Sequence, residues 1–101
     1  MRSLGTGLLL TLVLGACSLG GPDENATGEE IYAQLCARCH GADLSGGVAP
    51  ALGSDSNAAT EDDQYLGFTV SNGRGRMPSF SSLSDEQVDR LIGYIREVQE
   101  G

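Results

Sequence analysis

The residues best suited to chemistry in this sequence are two cysteines and a histidine in the order C-x-x-C-H, at Cys36, Cys39 and His40. Two thiols three residues apart lie about one helical turn apart, so each can add to one vinyl group of the same porphyrin. The histidine that follows directly is then carried under the iron, where an imidazole nitrogen can ligate it. The spacing therefore predicts one covalently attached haem c, with His40 as an axial iron ligand.

Three other uses of this motif fit the rest of the sequence less well. A structural zinc site needs four ligands, but the chain has a single histidine, and its third cysteine, Cys17, is the predicted lipidation site described below. A thioredoxin-like dithiol is expected beside a βαβ pattern, which this sequence lacks. A plain disulfide between Cys36 and Cys39 would leave His40 without a role.

The second axial position of the iron is assigned by elimination. Strong distal ligands in such proteins are Met, His or Lys side chains, and the chain has no Lys, no second His and, apart from Met1, only Met77. Met77 lies in the glycine-rich turn N-G-R-G-R-M-P, which can bring a side chain close to a flat cofactor. The alternative is a core methionine with an open or water-filled distal site, but a core methionine is expected on an apolar helical stripe. The sequence predicts Met77 as the second ligand.

The first sixteen residues have the pattern of an export signal rather than of a folded element. A basic start at Arg2 precedes an apolar run over 8–16, which is shorter than the roughly 20 residues that a membrane-spanning helix needs. Leu14-Gly15-Ala16 stands directly before Cys17 and looks like a bacterial lipobox. The alternative is an ordinary signal peptide that ends near a cysteine. We predict a lipoprotein signal peptide over 1–16 and a lipid on Cys17, at the periplasmic or outer face of a bacterial membrane.

Residues 17–27 are predicted to be the lipidated cysteine and a flexible tether, because 18–27 is polar, rich in turn formers and without an apolar period. Removing 16 of the 101 residues leaves 85, enough for a single domain, which we place at 28–99. A core of this size is marginal unless something adds to it. A haem buried between helices would do so.

The charge balance excludes some classes of partner. The formal net charge is -8, and loss of Arg2 with the leader takes it to about -9. Such a chain is unsuited to nucleic acid and to electrostatic adhesion on anionic lipid. The balance favours a protein partner with a basic docking surface, and we expect a monomer.

Helical periodicity and capping signals predict an all-α fold, since no segment shows convincing strand alternation. The first helix begins at Thr27, which forms a capping box with Glu30, and continues through both cysteines. The second spans about 60–72, with the acidic residues 61–63 at its start and Gly73 as its stop.

The last helix has the strongest signals. Ser84 and Gln87 form a second capping box. Leu83 before the cap and Val88 fit a hydrophobic staple. The helix is expected to end near residue 99, with an apolar stripe of Val88, Leu91, Ile92, Ile95 and Val98.

Taken together, these motifs resemble a bacterial class I monohaem cytochrome c over residues 28–98. The shared features are the helix leading into C-A-R-C-H-G, the G-G-V-A-P-A-L loop, the N-G-R-G-R-M-P turn and the final helix. The resemblance implies a small bundle of three to four helices wrapped around one haem, with the carbonyl of Pro50 serving His40. It also implies that the first and last helices cross at a small residue beside an aromatic, for which the candidates are Gly28, Tyr32, Leu91 and Tyr94. The chain departs from some relatives in lacking a lysine docking rim, which leaves its partner open.

Five further side chains near the two ligand loops are candidates for contact with the haem. Leu52 and Phe80 flank the two loops and are predicted to pack on the haem. Arg74 and Arg76 either neutralise haem propionates or are solvated loop charges. Tyr65 either hydrogen-bonds a propionate or belongs to the apolar stripe of its helix.

These observations predict an electron-transfer protein rather than an enzyme. Histidine and methionine together raise the reduction potential, and a six-coordinate iron leaves no room for a substrate. The expected partners are redox proteins of a membrane electron-transport chain. Two alternatives remain open: a haem subunit of a larger membrane oxidoreductase, and a haem sensor or weak peroxidase with an open distal site.

Overall fold

The computed structural model describes residues 21–101, so the predicted signal peptide and Cys17 lie outside the described residues. Four α-helices and one 3₁₀ helix make up this part of the chain: α1 (Gly28–Leu35), α2 (Ala37–His40), the 3₁₀ helix (Asn57–Thr60), α3 (Asp63–Asn72) and α4 (Asp85–Glu100). The prediction of an all-α fold with three to four helices is confirmed. No helix within 21–101 is long and apolar enough to cross a membrane.

Helix α1 starts where the sequence predicts but stops earlier. The Thr27 hydroxyl accepts from the Glu30 amide at 3.1 Å and the Glu30 carboxylate accepts from the Thr27 amide at 2.9 Å, completing the capping box. Cys36, with φ -114°, interrupts the helix. Its carbonyl accepts from the amides of both Cys39 and His40, which closes the short helix α2. The single helix predicted through both cysteines is therefore two helices, with Cys36 at their joint.

Helices α1 and α4 cross at a glycine. A Cβ placed on Gly28 would lie 2.0 Å from the Arg90 carbonyl oxygen, so only a hydrogen atom fits at this position. Beside it the rings of Tyr32 and Tyr94 pack with centroids 5.6 Å apart, while Leu91 is fully buried. The crossing implied by the family resemblance is confirmed.

Helix α3 begins three residues later than predicted. Asp62 caps it by accepting from the Tyr65 amide at 2.8 Å. Thr60 instead closes the preceding 3₁₀ helix through a 2.7 Å bond to the Asn57 carbonyl. Gly73, with φ +79°, ends α3 as predicted.

Helix α4 carries both of its predicted start signals. The Ser84–Gln87 capping box is present, and Leu83 and Val88 are buried as the hydrophobic staple requires. The apolar stripe is buried as far as Ile95, but Val98 is 36% exposed. The last turn therefore extends past the core, and the prediction for Val98 was wrong.

The segment 22–27, predicted to be flexible tether, is instead part of the fold. Arg90 on α4 donates to the carbonyls of Ala26, at 3.0 Å, and Glu24, at 2.6 Å. Gln87 donates to the Asp23 carbonyl at 3.2 Å, and Ala26 is buried. Because partners on a distant helix satisfy these carbonyls, polar composition alone could not reveal the order. The prediction of a tether is therefore wrong for residues 22–27.

Candidate haem-binding site

The two cysteines of the motif lie one helical turn apart around the α1–α2 joint. Both thiols are free; Cys36 is buried and Cys39 half-buried. Burial, together with the neighbouring Cys39, raises the pKa of Cys36 to about 11. A reactive C-x-x-C dithiol needs a lowered thiol pKa, so this environment disfavours the thioredoxin-like alternative.

The ring of His40 is held by the loop that follows it. Its Nδ1 lies 2.7 Å from the carbonyl oxygen of Pro50. Since a carbonyl can only accept, Nδ1 must carry a proton, and in the neutral imidazole the lone pair is then on Nε2. A metal-ligating histidine is oriented in this way by its second nitrogen. The contact that the family resemblance implied between Pro50 and His40 is present.

Backbone hydrogen bonds fasten this loop to the end of α2. The amide of Gly46 donates to the His40 carbonyl at 2.7 Å and that of Ala49 to the Cys39 carbonyl at 2.9 Å. Gly46 has φ +98°, and a Cβ there would lie 3.0 Å from the Ala51 nitrogen. The loop thus depends on glycine at this position to bring Pro50 over the histidine.

Tyr32 links the helix crossing to the same loop. Its hydroxyl donates to the Gly41 carbonyl at 2.7 Å. Burial, with a smaller contribution from Cys36, raises the pKa of Tyr32 to about 12. The phenol therefore remains a neutral donor at neutral pH, and it fixes the start of the loop relative to α1.

Met77, the predicted second iron ligand, lies in a tight turn between α3 and α4. The amide and carbonyl of Met77 pair with those of Arg74 at 2.9 and 3.2 Å. Gly73 and Gly75 both have positive φ, and a Cβ on Gly73 would lie 2.7 Å from the Met77 carbonyl oxygen. The turn thus requires glycine at position 73, whereas at Gly75 only the positive φ favours it. Iron ligation by Met77 remains a prediction.

Several apolar side chains remain half-buried against the core. They are Leu35, Ala37, Leu52, Ala58, Met77, Phe80 and Tyr94. Leu52 and Phe80, predicted to pack on the haem, are both among them, and the Phe80 amide is tied to the Val70 carbonyl at 2.9 Å. Two free thiols, a histidine with one free nitrogen, a thioether and partly exposed apolar side chains form a donor set that fits a covalently bound haem.

Tyr65 lies at the surface, where its hydroxyl is hydrogen-bonded to another side chain. It is 37% exposed, and its hydroxyl accepts a hydrogen bond from the guanidinium of Arg74. The pair joins α3 to the turn that holds Met77. Of the two interpretations of Tyr65, its exposure argues against the one that places it on the apolar stripe in the core. Propionate contact by Tyr65, Arg74 or the exposed Arg76 stays a prediction.

Comparison with known proteins identifies the family. The model for cytochrome c oxidase, cbb3-type, subunit III matches residues 23–95. The chain belongs to this family. The cytochrome is 36% identical to cytochrome c55X of Stutzerimonas stutzeri, over 91% of this chain and 86% of the relative. It is 33% identical to cytochrome c-551 of Bacillus subtilis, over 90% of this chain and 89% of the relative.

A solved structure has the same fold. The c-type cytochrome NirC superposes with a TM-score of 0.57 at 29% identity, covering 73% of this chain and 86% of that chain. With the relatives above, this makes the chain a small monohaem c-type cytochrome with one covalent haem c. It is an electron carrier and not an enzyme.

Longer proteins contain a similar segment. Quinohemoprotein alcohol dehydrogenase ADH IIB of Pseudomonas putida is 34% identical over a segment that covers 73% of this cytochrome and 11% of the dehydrogenase. Dihydro-heme d1 dehydrogenase of Pseudomonas aeruginosa is 36% identical over a segment that covers 88% of this cytochrome and 18% of the dehydrogenase. The module therefore occurs both as a small cytochrome and inside dehydrogenases.

Two side chains of α4 that were not predicted as functional, Arg96 and Gln99, hold the loops in place. Arg96 donates to Asp63 Oδ1 at 2.8 Å and to the Glu61 carbonyl at 2.5 Å. Gln99 donates to the Leu52 carbonyl at 2.8 Å, which fastens the loop that carries Pro50 to α4. Arginine and glutamine at the edge of an amphipathic helix usually face solvent, so the sequence carried no signal for these contacts.

The covalent bond to the haem can be tested by extraction. Acid–acetone treatment of the purified cytochrome should leave the haem on the polypeptide, because thioether bonds through Cys36 and Cys39 survive it. The double variant Cys36→Ala/Cys39→Ala, if it binds haem at all, should release it into the organic layer. Haem that leaves the unmodified protein in this solvent would contradict covalent attachment.

Proposed function

We propose that this cytochrome is a lipid-anchored carrier that passes single electrons between redox proteins of a membrane electron-transport chain, with His40 and Met77 as axial ligands of its iron. The observation that carries the proposal is the 2.7 Å contact between His40 Nδ1 and the Pro50 carbonyl, which leaves the other ring nitrogen ready to ligate. When bound, the haem iron supplies a reversible one-electron change of oxidation state.

The residues around the site act by holding it still. The Pro50 carbonyl keeps the His40 proton on Nδ1 and so preserves one ring orientation. Gln99 donates to the carbonyl of Leu52, two residues after Pro50, and so holds this loop against α4. The Arg74–Met77 bridge closes the turn that carries the second predicted ligand. A ligand frame of this kind changes little between two oxidation states, which suits electron transfer better than turnover of a substrate.

The anchor is supported by Leu14-Gly15-Ala16-Cys17 at the end of the apolar run. The carbonyl of Pro22 is bonded by Gln87 of α4, and five residue steps separate Pro22 from Cys17. A chain of that length spans at most about 18 Å even when fully extended. The lipid would therefore keep the domain at the membrane surface and confine electron exchange to partners located there.

Replacing the anchoring residue gives a direct test. Cys17→Ser should move the cytochrome from the membrane fraction to the soluble fraction, since a serine cannot receive the lipid. Ser18→Ala, which keeps the cysteine, should remain with the membranes and serves as the control. A Cys17→Ser protein that still sediments with membranes would show that the anchor lies elsewhere.

A role as haem subunit of a larger oxidoreductase is the second candidate. It is favoured by the family, whose model describes an oxidase subunit, and by the dehydrogenases that contain a similar segment. Purification from detergent-solubilised membranes separates the two. A free carrier elutes alone, whereas a subunit elutes with fixed stoichiometry together with its complex.

A further inference from the structure

A surface groove of about 510 Å³ runs between α3 and α4. Its walls are formed by residues of these two helices, among them Phe68, Val88 and Ile92. The residues that position the predicted iron ligands, from the His40–Pro50 loop and the Met77 turn, do not line it. The groove is thus a second surface feature, separate from the haem-binding site.

Two glycines keep the groove open. A Cβ on Gly93 would meet no atom within 4 Å, and one on Gly67 would meet Val88 Cγ1 at 3.4 Å, an ordinary contact distance. Neither glycine has a positive φ, so neither the backbone nor internal packing requires it. Glycine inside a helix is less stable than alanine. Both helices therefore give up stability at the point where a side chain would narrow the groove.

Phe68 on the wall of the groove is unusually exposed for a large apolar side chain, at 66%. Leu66 and Val70 on the same helix are buried, so α3 does not lack a core-facing side. An aromatic ring left in water at the edge of a groove is typical of the centre of a protein interface.

The charge of the rim indicates what kind of protein fits. Asp85 and Asp89 of α4 line the groove, and within residues 21–101 neither has an ion-pair partner. Asp63, also on the rim, is already paired with Arg96 at 2.8 Å. A second copy of this acidic chain would bring like charges together, whereas a basic partner would find its complement.

We propose that the groove between α3 and α4 is a docking surface for a protein partner that inserts an apolar side chain beside Phe68 and places an arginine or lysine against Asp85 and Asp89. Because the groove lies apart from the ligand loops, such a partner can hold the cytochrome while the haem-binding site exchanges electrons with another protein. The inference does not depend on the lipid anchor.

Site-specific photocrosslinking in the native host tests the surface. Phe68→p-benzoylphenylalanine in the full-length, haem-loaded chain should form an adduct with a protein whose crosslinked peptide has a basic residue beside an apolar one. Asp89→Arg should reduce the adduct about tenfold or more, because like charges would then meet. Glu97→Arg makes the same charge change on the same helix outside the groove and should leave the yield unchanged.

A charge swap completes the test. Changing the crosslinked basic residue of the partner to aspartate should restore the adduct with Asp89→Arg. Adducts with a second copy or with lipid alone, no adduct, or an adduct that Asp89→Arg does not weaken would each overturn the proposal. An unchanged haem absorption spectrum in every variant shows that the fold and the electron-carrier site are intact, so these outcomes report on the groove alone.

Discussion

We expect Gly28→Ala to lower the free energy of unfolding of the haem-loaded protein by about 3 kcal/mol, near the upper end for overpacked cores. The new methyl group would lie 2.0 Å from the Arg90 carbonyl oxygen and 2.9 Å from Tyr94 Cβ. Neither neighbour is a flexible side-chain end, so α1 must move away from α4. That movement would loosen the packing of Tyr32 and Leu91, both almost completely buried. Denaturant titration followed by far-ultraviolet circular dichroism measures the loss.

Gly93→Ala provides the matched control, since it makes the same substitution in the partner helix. Its methyl group meets no atom within 4 Å, so only the helix preference of alanine remains. We expect a gain of about 0.5–1 kcal/mol. Two variants with the same chemistry should therefore change stability in opposite directions. Equal stability of Gly28→Ala and the unmodified protein would mean that the helices do not cross as closely as the structure shows.

The largest functional effect is expected from Met77→Ala. The chain has no lysine, no second histidine and no methionine besides Met1 to replace the lost thioether. The reduced variant should therefore bind carbon monoxide at concentrations at which the unmodified protein binds almost none. The methionine-sulfur band near the red end of the ferric absorption spectrum should disappear as well. Visible spectroscopy under carbon monoxide measures both changes.

Two further variants separate ligation from packing. Met77→His should keep the distal position closed to carbon monoxide but lower the reduction potential, because methionine ligation raises it. Leu83→Ala removes a buried side chain elsewhere and should destabilise the fold without opening the site. If the unmodified reduced protein binds carbon monoxide as readily as Met77→Ala, the distal site is open already. The sensor or peroxidase alternative would then be favoured over the carrier.

Local chemistry explains which features could be predicted. The C-x-x-C-H motif needs no tertiary information, because the covalent spacing of two thiols and a histidine already matches one porphyrin. Each capping box, at Thr27 and at Ser84, likewise joins two residues only three positions apart. Pro50 was found only through the family resemblance, since nothing in the spacing from His40 to Pro50 indicates that its carbonyl turns back.

The sequence by itself determined the capping boxes of α1 and α4, the stop of α3, the haem attachment and the single candidate for the second ligand, because each depends on neighbours in the chain or on a count of residue types. The tertiary structure decided that residues 22–27 belong to the fold, that Tyr65 pairs with Arg74, and that Arg96 and Gln99 hold distant loops. These contacts join residues as many as 66 positions apart. Their donors and acceptors would be equally satisfied by water in an unfolded chain, so only packing could select them.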